Sequence, residues 1–218
     1  MKDRIEKVLE MKDSYEGLLT PWDQGFLESL LRWVESGNTL SMKQHNMFTK
    51  VEGKLSESNI EAYNSWNENW DDKKKEKARV CAQYYSGTSY YLRIARRVLS
   101  EPEWIVPRSD FMKLTENKFA KKVLDAYFAA PLYADGATVM LRSGARAHLS
   151  YRDYKQMMDQ PLFVMGVVPK IRSAAKNSKI YSIIAPGSMQ PIEIEERYIK
   201  KWKKPKKKTE KDKNYLPF

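Results

Sequence analysis

Two groups of residues in this chain have the types and spacing that hold a polyanion. The first is a tyrosine–arginine segment. Tyr84-Tyr85 and Tyr90-Tyr91 flank Ser86-Gly87-Thr88-Ser89, and Arg93, Arg96 and Arg97 follow within two turns. Tyrosine rings offer faces on which bases stack, and arginines offer phosphate contacts. On a helix Arg93 and Arg97 are four apart and share a face. Tyr84, Tyr85, Tyr90, Arg93 and Arg97 are therefore candidate nucleic-acid contacts, although the same tyrosines also suit a helical core with their hydroxyls at its rim.

The second group is basic and C-terminal. Residues 200–213 hold nine lysines against Glu210 and Asp212, a net of +7 out of a formal +11 for the chain. Lys200, Lys201, Lys203, Lys204, Lys206, Lys207 and Lys208 form a run suited to neutralising phosphates. Arg142, Arg146, Lys170, Arg172 and Lys176 lie near predicted turns upstream of it. Loops on a rigid scaffold collect binding groups, and they equally collect solubilising charge.

Other chemistries lack their residues. There is no Walker-type phosphate loop, no G-x-S-x-G elbow and no H-E-x-x-H pair,. The carboxylates fall in capping or surface positions, so no catalytic residue is assigned and no enzyme is expected. Cys81 is the only cysteine and reads as a buried structural thiol, while His45 and His148 are too few and too far apart for a metal site,. No cofactor and no metal are expected. At 42% hydrophobic and 31% charged residues, the 218-residue chain can bury a core in one or two domains,. No apolar run approaches the roughly 20 residues of a membrane span. Met1-Lys-Asp-Arg-Ile-Glu6 lacks a signal-peptide core, so the expected location is cytoplasmic,.

The elements that must position these groups change character at Pro131. Before it the chain reads as successive helices. An initial helix over residues 1–18 is followed by Thr20-Pro21-Trp22-Asp23, which supplies an N-cap, a first-turn proline and an acid. Phe26, Leu27, Leu30, Leu31 and Val34 then form a stripe that ends at Gly37. Ser41-Met42-Lys43-Gln44 is a capping box for a third helix, which makes residues 20–55 an αα-hairpin. Ser58-Asn-Ile-Glu61 reads as another box, Thr88 or Ser89 as the cap of a helix over 90–99, and Thr115–Phe128 as a last amphipathic helix.

After Pro131 the period falls to two. Strands are expected at 137–142, at 162–168 (continuous and apolar, as if buried on both faces), at 179–184 and at 189–194. A turn at Asp135-Gly136 and a hairpin at Pro186-Gly187 bound them. Ser150–Asp159 has helical character within this region, and Glu195–Lys201 suits one closing helical turn. The expected fold class is α+β. It comprises a helical domain over 1–130, a small SH3-like β-barrel over 131–202 and a flexible lysine-rich tail over 203–218.

Leu19-Thr-Pro-Trp-Asp-Gln-Gly-Phe-Leu-Glu-Ser29 with Leu40-Ser-Met-Lys-Gln44 resembles a short helical module of phage proteins. That module has a W-x-x-x-F-x-x-S opening and an L-S-x-K-Q second helix, and its carriers belong mostly to replication and recombination gene sets. The resemblance spans about forty residues. It implies a phage origin, the host cytoplasm and DNA metabolism. The C-terminal Asn214-Tyr-Leu-Pro-Phe218 resembles in a general way the apolar tips with which phage proteins grip a sliding clamp, but without their neighbouring acids. Tyr215, Leu216 and Phe218 are thus candidate contacts to a replication, recombination or transcription protein, or else a segment that folds back on this chain. The expectation is a non-enzymatic nucleic-acid-binding accessory protein, with DNA ahead of RNA. The alternative is an interaction or structural component of a virion or other assembly.

Overall fold

The computed structural model describes residues 1–203 except Asp13 and Glu16. The chain divides into two compact units, Met1–Ala120 and a second beginning at Lys121. Its described residues combine helices with a small antiparallel sheet, a mixed α+β fold.

The first unit is helical. α1 (Lys2–Glu10) packs on α2 (Pro21–Glu35), and α3 (Met42–Glu52) completes the first core. Ile5, Leu27, Leu30, Phe48 and Val51 are buried there. Both α2 and α3 open with full capping boxes, Thr20 with Asp23 and Ser41 with Gln44. Each box satisfies otherwise orphaned first-turn N–H groups and contributes about 1 kcal/mol. Glu10 ends α1 well before Gly17. At Gly17 φ is +89°, and a Cβ there would lie 2.7 Å from Pro107 Cβ, so the chain turns where only glycine fits,.

α4 (Glu57–Glu68) departs from expectation at its start. Ser56, not Ser58, is the N-cap, and no side chain caps it. α5 (Asp72–Ser86) is capped by Asp71 and buries Ala78, Val80, Cys81, Ala82 and Tyr85. α6 (Leu92–Ser100) starts behind Tyr91, which adopts a left-handed φ of 52°. Neither Thr88 nor Ser89 caps it, because the Thr88 hydroxyl is bonded to the Tyr85 and Tyr90 carbonyls instead.

The segment expected to hold one last helix holds two, α7 (Arg108–Thr115) and α8 (Lys118–Phe128). Asn117 separates them. Its Oδ1 accepts from the Phe119 and Ala120 N–H groups, which restarts the helix, while its Nδ2 donates to the Lys113 carbonyl,. Trp66, Trp70 and Phe111 interlock beside these helices, and Trp66 Nε1 donates to the Val106 carbonyl at 3.0 Å.

The second unit is a five-stranded antiparallel sheet of β1 (Thr138–Leu141), β2 (Leu162–Ile171), β3 (Lys179–Ile184), β4 (Ile192–Glu195) and β5 (Ile199–Lys201). The spatial order is β4-β3-β2-β1-β5. β4 and β5 are its two edges, so the sheet is open rather than closed into a barrel. Glu195–Lys201 is not a single helical turn. A 3-10 turn over Glu196–Tyr198 delivers β5 back beside β1, pairing Leu141 with Ile199 and Val139 with Lys201. Between β1 and β2 come a 3-10 turn (Ser143–Ala147) and α9 (Tyr151–Met157), which the Ser150 hydroxyl caps at the Asp153 N–H.

One face of the sheet buries Val139, Leu141, Leu162, Val164, Tyr181, Ile183 and Ile194 with Met157 of α9. β2 is not buried on both faces as its continuous apolar run suggested. Phe163, Met165 and Val167 are exposed between buried or half-buried neighbours. Pro169 does not end the strand either. Register shifts between Val164 and Gly166 and between Val168 and Ile171 carry β2 past it, and Gly166 takes a φ of 153° at the first,. The C-terminal half of α8 is fastened to this unit by Lys179 Nζ, which donates to the Tyr127 carbonyl at 2.6 Å.

Candidate nucleic-acid interface

The two sequence-defined groups fare differently. In the first unit, α5 and the turn after it separate the tyrosines. Tyr85 is 3% exposed, and its hydroxyl donates to Asn117 Oδ1 at 2.7 Å. Tyr84 and Tyr91 pack edge-on against it, with ring centroids at 4.9 and 5.1 Å. Tyr85 is therefore a core residue that presents no face for stacking, a correction to its place among the candidate contacts. Tyr84 is half-buried, and Tyr90, at 72%, is the most exposed of the four.

Arg93 is exposed on α6. Arg97 is committed within its own unit: Nε donates to Glu101 Oε2 at 2.9 Å, and its guanidinium lies 4.1 Å from the Trp104 ring centre. A cavity of about 420 Å³ nearby is lined by Trp70, Trp104, Lys75 and Arg79, but also by Asp72, Glu76 and Glu101. Its carboxylates outnumber its cations, which disfavours a phosphate there.

In the second unit the sheet pairing gathers residues that are more than fifty positions apart. Because β5 pairs with β1, Arg142 at the end of β1 lies beside Tyr198 and Ile199. The Arg142 N–H donates to the Tyr198 carbonyl, and its Nε donates to the Ile199 carbonyl at 2.8 Å. That fixes the guanidinium at the sheet edge while its two terminal nitrogens keep their donors. Met140 and Lys200 are register partners, and Leu141 and Ile199 are core partners. By strand alternation, Arg142 and Lys200 therefore point to the same outer face. Arg146 is exposed on the 3-10 turn that follows, and Lys200, Lys201 and Lys203 are exposed on and just after β5.

Three neighbours in this cluster carried no signal in the sequence. His148 stacks on Tyr198 with ring centroids 4.1 Å apart and planes 29° apart, and Arg197 lies 4.6 Å from the same Tyr198 ring. Glu195 holds Arg197 through a 2.5 Å ion pair. Only the β1–β5 pairing brings residue 148 against residue 198, so spacing along the chain does not reveal them.

The remaining candidates lie elsewhere. Lys170 and Arg172 both pair with Glu193 of β4 at 2.5 Å, at the opposite edge of the sheet from β5. One carboxylate thus offsets part of their charge. Lys176 is exposed beyond the end of β2. Lys204, Lys206, Lys207, Lys208, Tyr215, Leu216 and Phe218 lie outside the described residues. Among the described residues no set of three or more His, Cys, Asp or Glu side chains is placed to hold a metal ion, and no helix is long and apolar enough to cross a membrane. Cys81 is fully buried, and burial first, then the Glu116 charge, pushes its thiol up to about 12.

No protein-family model, curated protein or solved structure matches the chain.

Proposed function

We propose that the chain is a nucleic-acid-binding accessory protein that acts without catalysis of its own. The observation that carries this reading is the gathering of Arg142, Arg146, Lys200, Lys201 and Lys203 at the β1–β5 edge, from which the lysine-rich segment continues. Charges fixed on a sheet edge and followed by a lysine run fit a phosphate backbone, read largely without regard to sequence. The sheet order, with a 3-10 turn feeding the last strand, is compatible with an SH3-like half-barrel as the scaffold. The likeness of Leu19–Gln44 to a phage helical module favours DNA and a role in replication, recombination or transcription, in the cytoplasm of a host cell. Tyr215, Leu216 and Phe218 then serve as the contact to a protein of that machinery.

The test is an electrophoretic shift of single- and double-stranded DNA and RNA by wild type and by an R142A/R146A/K200A variant. Binding that weakens in the variant and with rising salt supports the reading, whereas wild type that shifts none of the four substrates ends it. A second reading, a component of a protein assembly, draws on the exposed Phe163 and Met165 of β2. It expects concentration-dependent association of the free protein, which F163S/M165S abolishes.

A further inference from the structure

The ring stack at the β5 edge has no role in phosphate binding alone. Tyr198 sits in the 3-10 turn before β5, and the backbone of the Ser143–Ala147 turn passes against it. A Cβ at Gly144 would lie 3.6 Å from Tyr198 Cδ1. Arg197 approaches the same ring at 4.6 Å and is itself anchored by Glu195. His148 completes the ladder at 4.1 Å from Tyr198. His148 is nonetheless exposed, which leaves part of the residue open to solvent. A planar ring held from behind by a second ring loses little conformational freedom when a third ring docks on it. The segments that carry the stack also carry cations, with Arg142 tied to the Ile199 carbonyl, Arg146 two residues before His148 and Lys200 two residues after Tyr198.

We propose that this ladder is a base-stacking platform: an unpaired nucleobase docks on the open surface of His148 while Arg142, Arg146 and Lys200 hold the adjoining phosphates. The site therefore prefers single-stranded nucleic acid. A base inside a duplex has both faces covered by its neighbours, so a duplex engages only the cations. Sequence preference is weak, because every base has a face to offer. The inference rests on the nucleic-acid reading above and adds a strand preference and a contact residue to it.

The experiment measures fluorescence-anisotropy affinities of the full chain for labelled oligo-dT and for a blunt-ended two-strand duplex of equal phosphate count. Wild type, H148A, H148W and R142A/R146A are compared. Loss of a single stacked base costs about 5- to 150-fold, so H148A binds oligo-dT weaker by that range and binds the duplex as wild type does. H148W restores oligo-dT binding, and R142A/R146A weakens both probes. An unchanged melting temperature for H148A establishes that the effect is on binding. Equal affinity of H148A and wild type for oligo-dT overturns the platform, as does an equal loss on both probes, while the phosphate-binding reading stands. Wild type that binds neither probe overturns that reading and the platform with it.

Discussion

The Tyr181 hydroxyl donates a 2.9 Å hydrogen bond to Glu196 Oε2, tying the middle of β3 to the 3-10 turn that feeds β5. Both residues are buried, and the same hydroxyl accepts the Tyr133 N–H at 3.2 Å. Burial first, then the Glu196 carboxylate, pushes the Tyr181 phenol up to about 12. This buried contact is one of several that hold the turn carrying Arg197 and Tyr198, beside the Leu132 N–H on Glu196 Oε2, the Arg197 N–H on the Asn177 carbonyl and the Arg142 N–H on the Tyr198 carbonyl. Tyr181→Phe leaves Glu196 Oε2 with only the Leu132 N–H at 3.4 Å and strands the Tyr133 N–H, a loss of about 1–3 kcal/mol for the unpaired group,. The expected result is a stability loss of about 1–3 kcal/mol in denaturant titrations, together with weaker oligonucleotide binding as the turn loosens. A variant as stable as wild type contradicts this account of the turn.

Asp23 is almost fully buried and accepts from the Thr20 N–H, the Thr20 hydroxyl and Lys54 Nζ, the last at 2.7 Å. Burial alone raises its pKa, but these bonds and the Lys54 charge outweigh burial and bring it below the ordinary 3.8. A depressed folded pKa gives stability that is fully present above the unfolded value and is lost as pH falls through the folded one. Wild type should therefore lose thermal stability on acidification below about pH 4. Asp23→Ala should start about 2 kcal/mol less stable and show a flatter acid limb, which calorimetry across that range would measure.

Local chemistry made part of the fold legible. Thr20, Ser41 and Ser150 cap helices as their spacing implies, and Asp135-Gly136 and Pro186-Gly187 bound strands, because such signals act over four residues,. What escaped depends on distant partners. β2 reads as doubly buried from composition, yet Phe163 and Met165 are exposed on its other face. β5 is three residues long, and only its pairing with β1 makes it a strand. The same pairing assembles the site. Arg142 and Lys200 were legible as basic residues, but their shared edge was not. His148, Arg197 and Tyr198 carried no local signal at all.

Cys81 should be inert in the native protein. Its thiol is fully buried and its pKa is pushed up to about 12, so thiolate is scarce at mildly alkaline pH,. A disulfide reagent should titrate no thiol in the folded chain and one per chain in denaturant. Rapid labelling without denaturant would mean that α5 opens readily.

Removal of the lysine-rich segment should weaken nucleic-acid binding through its salt dependence, provided the cut spares the sheet. The Trp202 N–H donates to the Thr138 carbonyl at 3.1 Å, so the chain must be kept through Lys203. Truncation there removes six lysines against two acids. With about four to six cations engaged, the slope of log K against log salt on duplex DNA should fall by about 4–5. The melting temperature should stay the same. An unchanged slope would place phosphate binding wholly on the folded edge.

Tyr85 and Tyr90 offer a paired test of which tyrosines belong to the first unit's core. Tyr85 is buried with its hydroxyl on Asn117, the residue that restarts α8, whereas Tyr90 projects from the turn before α6. Tyr85→Phe removes that hydroxyl's donor from Asn117 and should cost about 1 kcal/mol. Tyr85→Ala also leaves a cavity and should cost about 3–5 kcal/mol. Neither change should alter affinity per folded molecule. Tyr90→Ala should leave stability within about 0.5 kcal/mol of wild type, as exposed substitutions do. If Tyr90 and Arg93 form a second contact for an unpaired base, Tyr90→Ala weakens oligo-dT binding by about 1–3 kcal/mol. Thermal denaturation and anisotropy on the same three proteins separate these outcomes. A Tyr90→Ala chain that binds as tightly as wild type would leave the β1–β5 edge as the single stacking site.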